Sequence, residues 1–245
     1  MPKTGILLAE AVVQGGRKVN LWSDNPKRPY WLSVNISLVD PDGGEWRIRK
    51  SPDESKFRVR VGDYNLDGYP DLLFALGKTS DDQPSLYLAY NKPCKGNLCG
   101  GWERTFEIQW KMNLISGVTE GSTVQYGAFF DLQENGNLDI LLQYKDKDGK
   151  YFFRFLSDED RGDTSFLKAQ VYTSICGSVC KNGQEGSGIA APGATLYYRS
   201  VDSDGRPIQG RHTQLSQSTY NALDLPYVVF GLGRTPNFVD VLEVS

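Results

Sequence analysis

Residues 63–71 read Asp63-Tyr64-Asn65-Leu66-Asp67-Gly68-Tyr69-Pro70-Asp71, with oxygen-bearing side chains at alternate positions and a further carboxylate at the end. Asp63, Asn65 and Asp67 can converge on one centre. Gly68 permits a sharp turn, Tyr69 can offer its carbonyl oxygen, and Asp71 closes the set. A hard cation taking roughly six to eight oxygen ligands, Ca2+ above all, suits such donors. A helical calcium loop would need Glu at its twelfth position. That position is Phe74, and the flanks 58–61 and 72–76 are strand-like. The expectation is a strand–loop–strand calcium site, with a solvated acidic turn as the competing reading.

The pattern returns. Residues 57–74 read FRVRVGDYNLDGYPDLLF and residues 125–142 read QYGAFFDLQENGNLDILL. Asp131 stands 68 residues after Asp63, and Gly136 and Asp139 align with Gly68 and Asp71. Gln133 and Asn135 replace Asn65 and Asp67, so the second loop offers two carboxylates where the first offers three. Fewer charges predict weaker Ca2+ binding at Asp131, Gln133, Asn135 and Asp139, or a loop held by hydrogen bonds alone.

Other chemistry is sparse. Most catalytic triads and most zinc or iron sites use at least one histidine. The chain has one, His212, in a Gly/Arg/Thr-rich stretch with no acid or cysteine near it in sequence, and it reads as a surface or hairpin residue. The four cysteines form two close pairs, Cys94/Cys99 and Cys176/Cys180. Their even number and local spacing point to two small disulfide loops and an oxidising compartment. A four-thiolate zinc site would prefer tighter C-x2-C knuckles. Asn35-Ile36-Ser37 is a glycosylation sequon, and alternation of Leu32, Val34, Ile36 and Leu38 puts Asn35 on an outward face. Arg161-Gly162-Asp163 and Asp158-Glu159-Asp160 read as charged turns. Gly186-x-Gly188-x-x-Ala191 runs straight into Pro192, so it opens no helix and is not a dinucleotide fingerprint. Trp102 and Trp110 read as core aromatics rather than a carbohydrate platform.

These residues must be held by short strands. Thirteen Tyr, 11 Phe and 5 Trp favour β-structure. Hairpin signals at residues 40–44, Asp148-Gly149 and Asp204-Gly205 separate strand-like runs. No long segment keeps a helical apolar period. Each repeat copy is followed by further strands, at 85–90 and 105–110 and again at 151–156 and 166–172. About four strands per repeat is the content of a propeller blade. With 27 basic and 30 acidic residues the net charge is −3, which excludes the basic face of a nucleic-acid binder and a polybasic membrane patch. No run approaches the ~18 apolar residues of a membrane span, and 5–13 (GILLAEAVV) is interrupted by Glu10.

The two loops resemble FG-GAP repeats, the calcium-loop blades of integrin α propellers. More narrowly, GDYNLDGYPDLL, the stretch 180–186, Gln214-Leu215-Ser216-Gln217-Ser218, Leu225-Pro226-Tyr227 and Gly231-Leu232-Gly233-Arg234 resemble the T-cell immunomodulatory protein (LINKIN-type) family over residues 57–245. The resemblance implies an all-β fold: a partial integrin-like propeller with a small C-terminal β-module. It divides as 1–50 (partial blade or insertion), 51–190 (two blades) and 191–245 (β-module). It implies calcium ligands at Asp63, Asn65, Asp67, Tyr69 and Asp71. It also implies the extracellular side of a single-pass glycoprotein, or a secreted one, whose span lies outside this chain. By the same resemblance the role is adhesion or immune-cell modulation through a cell-surface or matrix protein, without catalysis. At 68 residues per repeat, 245 residues make fewer than four of the about seven blades of such a propeller, so the chain is expected to be part of a longer one. A carboxylate-based hydrolase or a carbohydrate-binding propeller is the alternative.

Overall fold

The computed structural model describes residues 19–22, 31–34, 36–48, 59–78, 85–94, 104–112, 114, 122–157, 165–173, 188–218, 223–233 and 238–245. Every regular element among them is a β-strand. The all-β expectation holds for the described residues.

β1 (Val19–Trp22) and β2 (Trp31–Val34) form an antiparallel pair. The first repeat builds a meander of β4 (Val59–Gly62), β5 (Asp71–Lys78), β6 (Ser85–Pro93) and β7 (Arg104–Ile108). β3 (Trp46–Ile48) pairs further along β5, on Leu76–Lys78. The second repeat builds β8 (Thr123–Phe130), β9 (Asp139–Lys145) and β10 (Tyr151–Leu156). Here the expected fourth strand is missing from the sheet, which has three strands among the described residues. β11 (Ser165–Ala169) turns away from β10 and pairs with β16 (Val228–Gly233). β12 (Tyr172–Thr173) pairs with β13 (Ile189–Ala190). β14 (Thr195–Val201) takes β15 (Pro207–Thr213) on one edge and β17 (Val241–Val244) on the other.

Burial explains this arrangement. The run Leu72-Leu73-Phe74-Ala75-Leu76 does not alternate because β5 is covered on both faces. Leu72, Phe74 and Leu76 join Ile36, Leu38, Phe106 and Ile108 in one core. Leu73 points the other way, into a second core with Phe129, Leu138, Ile140 and Leu142 of the second repeat. β16 is likewise buried on both faces. Val229 reaches the second core, while Val228, Phe230 and Leu232 pack with Leu196, Tyr198, Leu167 and Ala169 in a third. An apolar strand covered on both sides needs a neighbour along its edge as well, and β11 supplies it. Sheet pairing therefore crosses residue 190/191.

The three hairpin signals form tight turns. Gly43, Gly149 and Gly205 each have φ near +80° and donate to the carbonyl of Asp40, Asp146 and Asp202. Trp110 packs against Trp46 and Tyr87 as a core aromatic; Trp102 lies outside the described residues.

Candidate functional site: two acidic loops seated on one ribbon

β4 leads into the 63–71 loop and β5 leaves it. Asp63 and Asp71 are fully buried at its two ends. Asp63 Oδ1 accepts from the Asp67 N–H at 3.0 Å, and its Oδ2 accepts from the Gly68 and Gly231 N–H groups, each at 2.8 Å. Asp71 Oδ2 accepts from the N–H groups of Tyr64 and Asn65 at 3.0 and 3.1 Å, and its Oδ1 from that of Asn91 at 2.8 Å. Among the described residues these partners are all backbone amides. Asn65 Oδ1 accepts from the Asp67 N–H at 3.1 Å, and Asp67 Oδ1 from the Tyr69 N–H at 3.0 Å. Leu66 and Gly68 bend the chain at φ +58° and +84°.

The second loop repeats the scheme. Glu134 and Gly136 take φ +53° and +81° at the positions of Leu66 and Gly68. Asp131 Oδ1 accepts from the Asn135 N–H and its Oδ2 from the Gly136 N–H, at 3.0 and 3.2 Å. Asp139 Oδ2 accepts from the Leu132 N–H at 3.0 Å. The two carboxamides are joined by one hydrogen bond, Asn135 Nδ2 donating to Gln133 Oε1 at 3.1 Å. The 68-residue repeat read in the sequence is thus a repeat of backbone geometry.

Electrostatics separate the loops. Burial pushes the Asp63 carboxyl well above the usual carboxylate range. The Gly231 N–H opposes this, and the Asp67 and Asp71 charges add to it. Burial likewise raises Asp71 to about 7. Asp67 is raised by burial against the pull of Arg104. Arg104 Nη2 donates to Asp67 Oδ2 at 3.0 Å, Nε donates to Asn91 Oδ1 at 2.7 Å, and the guanidinium lies 3.5 Å over the Tyr69 ring. Three carboxylates against one guanidinium give the first loop a formal charge of −2 when all three are ionised, the state that a bound cation would favour. Its donors are all oxygen, and that set and charge fit a hard divalent cation. Among the described residues no three His, Cys, Asp or Glu side chains are gathered as a metal-holding group. In this structure the loop is a turn held by hydrogen bonds from backbone amides.

Both loops rest on the β11–β16 ribbon, which sequence reasoning missed. Gly231 of β16 lies so close to the first loop that a Cβ there would fall 2.2 Å from Leu66 Cα. Gly210 of β15 is as close to the Gly68 carbonyl oxygen, at 2.3 Å from where its Cβ would be. The Tyr198 hydroxyl donates to the Gly231 carbonyl at 3.0 Å, beside Gly68. Phe166 of β11 packs closely on Gly136 of the second loop, and Lys168 Nζ stands 3.9 Å from Asp131 Oδ2. The only trace of this in the sequence is the glycine alternation Gly231-x-Gly233.

His212 is in the β14–β15 hairpin, as expected, but it is buried rather than on the surface. Its ring faces Phe230 edge-on, and Nδ1–H donates to the Thr213 carbonyl at 3.0 Å. It lines a small cavity together with Asp63, Leu138, Leu225 and Tyr227. Cys94 follows β6 and is not a free thiol. Cys99, Cys176, Cys180, Asn35 and the Arg161-Gly162-Asp163 tripeptide lie outside the described residues. Among the described residues no helix is long and apolar enough to cross a membrane.

The chain is 35% identical over 219 residues to protein linkin of Caenorhabditis elegans, covering 88% of this chain and 36% of linkin. It is 35% identical over 188 residues to the human T-cell immunomodulatory protein, covering 76% of this chain and 30% of that protein. This chain is a relative of the T-cell immunomodulatory and linkin proteins. A homolog from Plasmodium falciparum is 34% identical over 224 residues, 86% of this chain and 30% of its own length. The chain thus spans about a third of the length of these three relatives, and 60% of the macaque T-cell immunomodulatory protein it matches. None of these names denotes an enzyme. A family model described as "ITFG1, C2 domain" matches residues 186–245, the stretch holding β13 to β17. No solved structure matches.

Proposed function

We propose that this chain is the calcium-stiffened, propeller-like part of an extracellular or cell-surface glycoprotein that modulates immune cells or adhesion by binding another protein. The observation that carries the reading is the relationship to T-cell immunomodulatory and linkin proteins, which covers 88% of this chain for linkin and 76% for the human protein, beside the family-model match over residues 186–245. The meander β4–β7 and the partial meander β8–β10, stacked through Leu73 and Ile140, support reading the repeats as blades. In the first loop Asp63, Asn65, Asp67 and Asp71, with the Tyr69 carbonyl, would hold Ca2+. The ion would neutralise the loop and stiffen it. The recognition surface would then be made by loops on a rigid frame, a common arrangement for binding proteins. Disulfides Cys94–Cys99 and Cys176–Cys180 and a glycan on Asn35 belong to the same extracellular reading.

The test is a binding screen of the chain, in calcium and in chelator, against cell surfaces and matrix proteins, beside glycosidase, phosphatase and esterase assays. Saturable binding without turnover is expected. Turnover abolished by one Asp or Glu substitution that leaves the fold intact would overturn the reading.

A further inference from the structure

We propose that the second loop holds no metal ion and that the Lys168 ammonium is its built-in cation. The inference rests on reading the two loops as calcium-type repeats, and it concerns what distinguishes them. Lys168 is not part of the loop: it sits on β11, opposite Val229 of β16. Its Nζ lies 3.9 Å from Asp131 Oδ2, on a carboxylate with no solvent exposure. The same ammonium stands 4.0 Å over the Tyr227 ring, whose π-face favours a cation. Phe166, two residues earlier on β11, packs on Gly136 and fixes the strand against the loop.

The corresponding oxygen in the first loop, Asp63 Oδ2, receives the uncharged Gly231 N–H from β16. One ribbon therefore serves both loops, giving a neutral donor to the first and a positive charge to the second. The basic partner of the first loop, Arg104, sits at Asp67 on the loop's open side rather than at its buried end. The donor sets agree with this division. In the second loop Asn135 and Gln133 bond to each other, and Asn135 Oδ1 also accepts from the Asn137 N–H at 2.9 Å. Only Asp131 and Asp139 bring charge to the aligned positions, and Lys168 offsets one of them. A divalent ion placed there would meet a fixed ammonium at its innermost ligand.

The test compares wild type with K168M, K168R, D131N and the double variant K168M/D131N by thermal unfolding in chelator. D67A, which disables the first loop, is melted with and without CaCl2. In chelator K168M is expected to lower Tm by several degrees, because a buried carboxylate keeps its two amide donors but loses the ammonium beside it. K168R should melt near wild type, and K168M/D131N should melt above K168M. D67A should show no calcium-dependent shift. The proposal is overturned if K168M melts like wild type, if K168R is as unstable as K168M, or if D67A keeps a calcium response that is absent from the double variant D67A/D131N melted in the same way. If wild type shows no calcium response at all, the calcium reading of the first loop fails, while the chelator comparison still decides the role of Lys168.

Discussion

Replacing Gly231 with Ala tests whether β16 and the first acidic loop are one mechanical unit. The new Cβ would lie 2.2 Å from both Leu66 Cα and Leu66 O, and 2.3 Å from Leu66 C. These are backbone atoms, so no rotamer change relieves the overlap, and either the strand or the loop must move. Overpacking of this kind costs about 1–3 kcal/mol. The movement also stretches the 2.8 Å hydrogen bond from Gly231 N–H to the buried Asp63 carboxylate. A bond to a charged group of this type contributes about 1.5–3 kcal/mol. Together the loss should be about 3–5 kcal/mol, a fall in Tm of roughly 6–20 °C for a chain of this size. Urea unfolding followed by far-UV circular dichroism measures it. Gly205→Ala is the control: its φ is positive, at +77°, which that of Gly231 is not, and no atom lies within 4 Å of its Cβ position. It should lose only the ~1–2 kcal/mol of the left-handed conformation. Because Asp63 and Gly231 share one contact, Asp63→Asn combined with Gly231→Ala should cost less than the two single losses added. If Gly231→Ala unfolds within 1 kcal/mol of Gly205→Ala, the loop and the ribbon are not coupled as described.

Asp67→Ala should lower the Tm in calcium and blunt the response to chelator. Equal melts for variant and wild type in both conditions would make the loop a plain turn. His212 should titrate near pH 4, because burial lowers its pKa from 6.5 to about 4. Its folded-state value is below the unfolded one, so its stabilisation is full above about pH 6.5 and is lost as pH falls toward 4, by roughly 3 kcal/mol. Asp63 and Tyr227 face the same cavity, so the effect is isolated by comparing wild type with His212→Gln. A histidine ring NMR midpoint near 6.5 would contradict it. Non-reduced peptide mapping of secreted protein should give Cys94–Cys99 and Cys176–Cys180. Free thiols, or a Cys94–Cys176 link, would refute that pairing.

Much was legible in the sequence because its causes are local. The positive φ at Gly68 and Gly136 and the turns at Gly43, Gly149 and Gly205 arise within a few residues of one another. Backbone sterics and short-range hydrogen bonding write such features as spacing, and a 68-residue repeat displays them twice. The apolar runs 72–76 and 228–232 announce strands covered on both faces, but not what covers them. Only the tertiary structure decided that β11 leaves its own repeat for β16, because edge pairing depends on which edges the packed cores leave open. It also decided the burial of His212, the fit of Gly231 against Leu66, and the placement of Arg104 and Lys168 on different loops. Asp63 and Gly231 are 168 residues apart, and no local pattern records such a pair. The loop shapes were set by neighbours in sequence. The basic side chain beside each loop, Arg104 at the first and Lys168 at the second, was set by neighbours in space.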